Sequence, residues 1–285
     1  MIRLEPLRLD REALALYVSF FSLVYPRSRH FSVDYLNWLY CQNPDGMPFG
    51  FNAWENGQLV AHYACIPSRV KVNGHTAKAM LSLNTATHPA FQGRGLFTQL
   101  ANSTYEMAAA QGVDAVYGVA NANSTPGFVK KLGFQKVRPL DACVGFGNLG
   151  VDWSARAKNT CFERVWDAAS LRWRLGNPQK RLHAHVNGSC SAFWAPGPGW
   201  GVQAYAELDL PFFFDETPQR MLERCAPRLF LGLYPTGTWS KHRYVEIPER
   251  WRPSPLNLIY RPLGSLPSEI DGHAVSFSFL DFDAY

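Results

Sequence analysis

The sequence has no closely spaced cysteines, little charge and no long apolar run, and each absence excludes a class of protein. Its six cysteines form no CxxC motif, whereas zinc sites and disulfide frameworks show cysteines at short, regular spacings. Charged residues make up 18% of the chain and the net charge is only +5, without the basic clusters that are typical of nucleic-acid binding. We therefore expect no metal site and no nucleic-acid partner.

Apolar stretches are also short. No run approaches the roughly 18 uncharged apolar residues that a membrane-spanning helix needs, and acidic residues interrupt the N-terminal segment before any signal-like apolar core. The sequence thus predicts a soluble, cytoplasmic protein without a membrane partner. Its 285 residues are enough for about two domains of roughly 150 residues each.

The pattern of apolar residues predicts two helices followed by an antiparallel meander. Residues 10–25 have a helical period with Asp10 at the N-cap position, and a second helix begins at Ser32. Between residues 49 and 88 the period changes to two, which is typical of strands. The strands are separated by two Asn-Gly pairs, which favour tight hairpin turns: Asn56-Gly57 and Asn73-Gly74.

A long helix, a strand, a short helix and a further strand follow the meander. This order predicts a mixed sheet with helices on both faces for residues 1–150. A second domain, residues 162–285, follows a polar connector and contains a weak repeat of the first. Leu36-Asn37-Trp38 is matched by Leu171-Arg172-Trp173, each followed by Asn-Pro and then by an Asn-Gly pair. The repeat indicates a tandem duplication, and an unrelated α+β domain is the alternative.

Residues 92–97, QGRGLF, join a predicted strand to the N-terminus of the long helix. The first turn of a helix leaves backbone N–H groups unpaired, and the helix dipole favours an anion there. Glycine lets the backbone approach phosphate oxygens closely. The same residues also fit an ordinary strand-to-helix turn, so the loop alone does not distinguish the two interpretations.

Together with its downstream neighbours, this segment resembles the GNAT superfamily of acyl-CoA N-acyltransferases. The pyrophosphate loop of that family is Q/R-x-x-G-x-G/A, and here Phe97 stands where the family has Gly or Ala. The segments AVYGVANANSTPGF and LGF come next, in the family's order. The resemblance covers residues 1–145 and implies a mixed α+β or α/β fold with a GNAT-like central sheet. The second domain is then a degenerate GNAT-like copy that shapes the acceptor site.

The resemblance implies a binding site for acetyl-CoA or another acyl-CoA, with no metal. The pantetheine arm pairs with the end of a strand that splays away from its neighbour, and Asn123 and Phe128 line the groove. The strand end comprises Ala86, Thr87 and His88. The pyrophosphate lies on a loop comprising Gln92, Gly93, Arg94, Gly95, Leu96 and Phe97.

Direct transfer to an amine requires removal of a proton and stabilisation of an oxyanion, which the resemblance assigns to a backbone N–H near Thr87. Many family members carry a carboxylate on the central strand, but Met80–Thr87 has none. Val129 stands where the family has a tyrosine as general acid. Alternation places Asn84 on the same face as Ser82 and Ala86, where its amide can orient the acceptor or a water.

The candidate bases lie elsewhere in the chain. His62 has a suitable ordinary pKa, and His88 is a second histidine, beside the phosphate loop. Asp281 and Asp283 alternate on a predicted C-terminal strand, so that both face one side. Cysteine nucleophiles are not needed for direct transfer.

These features predict an enzyme that moves an acetyl or short acyl group from acyl-CoA to a primary amine on a small molecule. The layout of YLNWLYCQNP, QGRGLF and NLIYRPL also resembles tandem-GNAT sugar N-acyltransferases of bacterial polysaccharide biosynthesis. That resemblance implies a nucleotide-linked amino sugar as acceptor. A peptide, an amino acid or another amine is an alternative acceptor, and a non-catalytic acyl-CoA sensor or scaffold is an alternative function. The oligomeric state does not follow from the sequence.

Overall fold

The computed structural model describes residues 1–28, 30–187, 190–197, 201–210 and 226–282. The helices are α1 (Arg11–Val24), α2 (Val33–Cys41), α3 (Leu96–Ala110), α4 (Thr125–Leu132), α5 (Trp153–Asn159) and α6 (Ala168–Leu175). The strands are β1 (Arg3–Pro6), β2 (Phe49–Glu55), β3 (Gln58–Val72), β4 (His75–Thr87), β5 (Ala115–Ala120), β6 (Gln135–Pro139), β7 (Asp141–Gly145), β8 (Phe162–Arg164), β9 (His183–Asn187), β10 (Cys190–Pro196), β11 (Gln203–Leu208), β12 (Arg228–Leu233), β13 (Tyr244–Glu246), β14 (Asn257–Pro262) and β15 (Val275–Ser278).

Local sequence features account for the first elements. The Asp10 carboxylate accepts a hydrogen bond from the N–H of Ala13 and caps α1, and the Ser32 hydroxyl does the same for α2. Asn56 and Asn73 adopt φ angles of 50° and 48°, the left-handed conformation that two-residue hairpin turns require. The predicted helices and the two predicted hairpins are therefore confirmed.

The strands form one continuous mixed sheet whose main path runs in the order β6-β14-β5-β4-β3-β8-β15-β12-β11-β10-β9. The other four strands pair off this path: β1, β2, β7 and β13. β4 and β5 are parallel, and α3 forms the crossover between them. Helices α1 and α2 pack on one face of the first half of the sheet, and α3 and α4 pack on the other. A mixed sheet flanked by helices, as the sequence predicts, is confirmed.

The two halves of the chain exchange strands. β14 comes from the second half but lies between β5 and β6 and is antiparallel to both. β7 comes from the first half but pairs antiparallel with β12 and β13. The boundary near residues 150–162 therefore divides the sequence into two halves. Each half of the sheet nevertheless contains a strand from the opposite half of the sequence.

The second half of the sheet repeats the strand arrangement of the first. In the first half, β2, β3 and β4 are antiparallel, β4 and β5 are parallel, and the exchanged β14 flanks β5. In the second half, β9, β10 and β11 are antiparallel, β11 and β12 are parallel, and the exchanged β7 flanks β12. The two halves of the sheet therefore share one strand arrangement.

Two expectations about local structure need correction, and a third is not tested. The polar connector between the halves contains α5, which Asp152 caps. The C-terminal strand ends at Ser278, and residues Phe279–Asp281 form a 3-10 turn, so Asp281 is not on a strand. Asp283 lies outside the described residues.

Two kinds of feature are absent from the residues that the structure describes. No helix there has both the length and the apolar character needed to cross a membrane. No group of three or more His, Cys, Asp or Glu side chains in those same ranges is placed to hold a metal ion.

Candidate active site

A cleft opens where the parallel strands β4 and β5 separate. The two strands pair from Ala79 opposite Ala115 to Ser82 opposite Gly118, and then diverge. The resulting cleft has a volume of about 380 Å³. Its lining comprises Tyr25, Ser82, Leu83, Asn84, Thr85, Phe97, Gly118, Val119, Asn121, Asn123, Ser124, Gly127, Phe128 and Ile259. This opening corresponds to the splayed strands that the GNAT resemblance implies.

A β-bulge at Asn84 bends β4 away from β5. The register of β4 against β3 shifts by one residue between the pairs His62–Ala86 and Ala64–Leu83. Asn84 has a φ of 46°, and asparagine tolerates this left-handed conformation better than most residues. A bulge of this kind turns a strand and redirects its side chains.

The bulge overturns the expectation that Ser82, Asn84 and Ala86 share one face. The Ser82 hydroxyl is 2.7 Å from the Tyr63 hydroxyl, in the layer beneath α3. The Asn84 amide instead donates to the Tyr40 hydroxyl of α2 at 2.9 Å, and Ala86 packs in the core beneath α1 and α2. Asn84 therefore approaches the cleft from the face opposite to α3.

The glycine-rich loop lies at the N-terminus of α3, beside the cleft. Gly93 and Gly95 have φ angles of 77° and 74°, which favour glycine strongly. The first hydrogen bond of the helix runs from the N–H of Gln99 to the carbonyl of Gly95 at 3.1 Å. Within the described ranges no group accepts a hydrogen bond from the N–H groups of residues 93–97. These amides, at the positive end of a 15-residue helix, form a suitable site for an anion.

Phe97 replaces the small residue that is usual in the family's loop, and the structure shows how it is accommodated. Its ring meets the Phe128 ring edge-on, with centroids 5.1 Å apart. A Cβ atom on Gly127 would lie only 3.1 Å from Cε1 of Phe97. Gly127 therefore provides the space for the Phe97 ring, and both residues line the cleft.

The other side chains of the predicted loop differ in their exposure. Gln92 is exposed and the Leu96 side chain is buried. The Arg94 guanidinium lies 4.6 Å from the centre of the Phe91 ring and 3.8 Å from a carboxylate oxygen of Glu55. Half of the Arg94 side chain is exposed, so it is available to a polyanion.

The predicted strand end next to this loop has structural contacts of its own. Ala86 and Thr87 pair with His62 and Ala61 of β3 and do not line the cleft. Nδ1 of His88 accepts a hydrogen bond from the N–H of Ala90 at 3.1 Å and caps the 3-10 turn Pro89–Phe91. The part of β4 that lines the cleft is instead residues 82–85.

The turn after β5 is organised by Asn121, which the sequence analysis did not select. Its side-chain oxygen accepts hydrogen bonds from the N–H groups of Asn123 and Ser124, both at 3.0 Å. This Asx turn holds Asn123 at the cleft. The Ser254 hydroxyl accepts a hydrogen bond from the N–H of Ala122 at 3.1 Å, so the second half of the chain supports the same turn.

His62 lies beneath the cleft in a buried chain of hydrogen bonds. Its Nε2 is 3.2 Å from the Tyr40 hydroxyl and its Nδ1 is 2.8 Å from the side-chain oxygen of Asn52. Burial lowers the pKa of His62 to about 3, so its imidazole is neutral and weakly basic at physiological pH. This environment does not favour the predicted role of general base.

Asp281 is also engaged away from the cleft. One of its carboxylate oxygens accepts from the Trp166 indole at 2.9 Å, and the other accepts from the N–H of Ser278 at 2.6 Å. Burial raises the pKa of Asp281. The carboxylate thus caps the C-terminal 3-10 turn and does not line the cleft.

Tyr25 is a cleft residue with no recognisable sequence signal. It follows the last turn of α1, and its hydroxyl donates to the carbonyl oxygen of Thr85 in the bulged part of β4. Burial raises the pKa of Tyr25, so the hydroxyl stays protonated at neutral pH. Only the fold of the chain brings this hydroxyl to β4.

The corresponding opening in the second half is filled by the chain itself. β11 and β12 pair only at Gln203–Arg228 and Ala204–Leu229. Farther along, β15 takes the place of β11 and pairs with β12 at Gly232–Ser278 and Leu233–Phe277. A ligand cannot enter between these strands while β15 occupies the gap.

Comparisons with known proteins agree with this geometry. Residues 49–137 match the family described as "Acetyltransferase (GNAT) domain". No curated protein matches the sequence. Among solved structures, the chain is similar to a GCN5-related N-acetyltransferase from Anabaena variabilis with a TM-score of 0.64 and 9% identity, covering 92% of this chain and 73% of that one.

Two further structures are similar over the same share of this chain. A GCN5-related N-acetyltransferase from Kribbella flavida has a TM-score of 0.62 and 11% identity, with 92% of this chain and 72% of that chain covered. A probable N-acyltransferase from Enterococcus faecalis has a TM-score of 0.58 and 10% identity, with 92% and 73% covered. At these identities the similarity shows a shared fold. The segment that matches the GNAT acetyltransferase domain, residues 49–137, contains the bulged strand, the glycine-rich loop and most of the residues that line the cleft.

Proposed function

We propose that this protein transfers an acyl group from acyl-CoA directly to a primary amine of a small-molecule acceptor. The observation that carries this proposal is the cleft between β4 and β5, which has free loop amides beside it and Asn84 on its opposite face. Coenzyme and acceptor then approach from opposite sides of the sheet and meet at the bulge.

The coenzyme side follows from the unpaired backbone. The amides of residues 93–97 bind the pyrophosphate, and the exposed Arg94 guanidinium adds positive charge. Beyond Ser82 the edge of β4 has no partner strand in β5, so pantetheine amides can pair with it. Phe97 and Phe128 form the apolar wall. Since β15 fills the corresponding gap in the second half, we expect one coenzyme per chain.

The reaction makes an N–C bond and breaks the C–S bond of the thioester. The neutral amine attacks the carbonyl carbon, a backbone N–H of the bulged strand stabilises the oxyanion, and the amine loses its proton to water. The Tyr25 hydroxyl turns from the Thr85 carbonyl to the sulfur and gives its proton to the leaving thiolate, and solvent then restores the tyrosine proton. None of the described residues that line the cleft is charged, so no side chain of the lining acts as a strong base.

The cleft lining also favours an acceptor in which the groups next to the amine are polar and uncharged. Asparagine, serine, threonine and tyrosine side chains suit sugar hydroxyls, whereas a polycationic amine would favour carboxylates. We therefore propose an amino sugar, linked to a nucleotide, as the acceptor.

A groove beside the cleft supports the nucleotide part of this proposal. Its volume is about 390 Å³, and its apolar lining includes Leu229, Leu231 and Trp251. The Trp251 side chain is 68% exposed, and the Arg250 guanidinium lies 5.4 Å from the centre of its ring. Ser254 also lines this groove and links it to the cleft turn, because its hydroxyl accepts the hydrogen bond from the N–H of residue 122. A nucleobase can stack on an exposed indole of this kind.

Release of coenzyme A thiol tests the proposal. We expect wild-type protein with acetyl-CoA to release thiol faster with UDP-glucosamine than with glucosamine, spermidine or a lysine peptide. Trp251→Ala should raise KM for UDP-glucosamine and leave KM for glucosamine unchanged, and Phe146→Ala, at another exposed aromatic residue, serves as the control. If no amine accelerates thiol release while calorimetry shows that acetyl-CoA binds, the protein would be a sensor instead.

A further inference from the structure

We propose that Tyr40, His62, Asn52 and Tyr17 act together as positioning residues for Asn84, whose side-chain oxygen receives the acceptor amine. The inference rests on the proposed acyl transfer. It assigns to His62 a role in orientation, and it assigns a role to three residues that sequence analysis did not select.

The hydrogen bonds form one chain from the cleft to the backbone of the N-terminal segment. The Asn84 amide donates to the Tyr40 hydroxyl at 2.9 Å, and that hydroxyl is 3.2 Å from Nε2 of His62. Nδ1 of His62 is 2.8 Å from the Asn52 side-chain oxygen. The Asn52 amide donates to the Tyr17 hydroxyl at 2.8 Å, and Tyr17 donates to the carbonyl of Arg8 at 3.0 Å.

The direction of every bond follows from the chemistry of the groups. Because the Asn52 amide nitrogen donates to Tyr17, its oxygen must accept, so Nδ1 of His62 carries the proton. Since His62 is neutral, its Nε2 is an acceptor and Tyr40 donates to it. Since the Tyr40 hydroxyl proton is used in that bond, its oxygen can only accept a hydrogen bond from Asn84, and the Asn84 amide nitrogen must be the donor. This fixes the Asn84 side chain with its nitrogen toward α2.

The surrounding side chains hold this chain of hydrogen bonds rigidly. Tyr17, Tyr40, Asn52 and His62 are each no more than 1% exposed. The His62 ring contacts the Tyr17 and Phe21 rings, with centroid distances of 4.7 Å and 5.0 Å. Buried polar groups that are all satisfied favour a single arrangement, because any rotation leaves one of them without a partner.

Among these hydrogen-bonded residues, only Asn84 reaches the cleft. Asn84 lines the cleft and is partly exposed, and no described group donates a hydrogen bond to its side-chain oxygen. With the nitrogen held by Tyr40, this oxygen is the free acceptor for an N–H of the incoming amine. A network with a purely structural role would not need to end on a side chain that lines the cleft. Nor would it need that side chain to come from a bulge residue with a positive φ.

A double-mutant cycle tests the proposal. With acetyl-CoA and UDP-glucosamine, we expect Tyr40→Phe to lower kcat/KM for the acceptor by about tenfold, the equivalent of one hydrogen bond. Asn84→Ala should lower it at least as much, and Tyr40→Phe should add nothing in the Asn84→Ala background. The dissociation constant of acetyl-CoA should stay unchanged in all three variants, since the phosphate loop lies on the other face.

Tyr244→Phe is the matched control, because it also removes the hydrogen-bonded hydroxyl of a buried tyrosine, here one that donates to the carbonyl of Gly147 and takes no part in the Tyr40–His62 network. It should leave kcat/KM unchanged. Multiplicative losses for Tyr40→Phe and Asn84→Ala would overturn the positioning role while leaving the acyl transfer intact. A wild-type protein that acylates no amine would instead overturn the proposed function and this inference with it.

Discussion

Trp38 and Trp173 stack with ring centroids 4.8 Å apart and planes at 14°, and each indole N–H donates to the main-chain carbonyl of the other residue. The two bonds measure 2.8 Å and 3.0 Å. The tryptophans come from α2 and α6, the two helices that carry the sequence repeat. A reciprocal pair of contacts is what a local two-fold relation between the halves produces.

We expect the two tryptophans to be coupled in stability. Trp38→Phe removes the indole donor from the carbonyl of Trp173, which keeps only the N–H of Gly176, and Trp173→Phe removes the indole donor from the carbonyl of Trp38. Each substitution should lower the free energy of unfolding by about 1–3 kcal/mol, and the double variant should lose less than the sum. Urea denaturation measures this, with the exposed Trp251→Phe as control. Strictly additive losses would contradict a coupled pair.

The loop assignment predicts a severe effect of Gly95→Asp on coenzyme affinity. The new carboxylate would stand beside the pyrophosphate, so we expect acetyl-CoA to bind roughly 100-fold more weakly, or about 2.7 kcal/mol. Gly112→Asp is the control, since Gly112 has a similar φ of 78° against 74° for Gly95 but follows the far end of α3. Calorimetry that finds equal affinity for both variants would reject the loop as the phosphate site.

The buried His62 predicts a pH dependence of stability. Burial lowers the pKa of His62 to about 3, whereas a histidine in the unfolded chain has a pKa near 6.5. Between these values the unfolded state binds the extra proton, so stability falls as the pH falls. From pH 7 to pH 5 the free energy of unfolding should drop by about 2 kcal/mol more in the wild type than in His62→Gln. Parallel pH profiles would show that the folded imidazole takes up the proton normally.

Tyr25 should act on the chemical step. In the proposed mechanism its hydroxyl donates a proton to the departing thiolate, so Tyr25→Phe is expected to lower kcat by about 100-fold with little change in the dissociation constant of acetyl-CoA. Tyr260→Phe is a suitable control because its hydroxyl donates to the carbonyl of Pro267 outside the cleft. An unchanged kcat for Tyr25→Phe would mean that water protonates the thiolate.

The features that the sequence predicts well depend on neighbouring residues alone. Asp10 caps α1 because its side chain reaches an N–H three residues away. Asn56-Gly57 turns the chain because of its own backbone preferences. The glycine-rich loop could be placed for the same reason, since a strand, two glycines and a helix follow one another directly.

The features that escaped prediction depend on distant contacts. His62 has an ordinary strand context in the sequence, and only packing against α1 and α2 buries it and lowers its pKa. The bulge at Asn84 arises from a register shift against β3, which periodicity along β4 does not reveal. Tyr25 reaches the cleft only because the segment after α1 crosses β4. Each of these three features depends on contacts between residues that lie far apart in the sequence.

The exchange of β14 sets an order of events during synthesis. The strand partner between β5 and β6 becomes available only when the ribosome has released residues 257–262. Until then the nascent first half exposes two strand edges, which are open to pairing with other chains. The binding cleft consequently matures only after residues 257–262 have been made, and a chain terminated early in its second half should aggregate in place of yielding a smaller active enzyme.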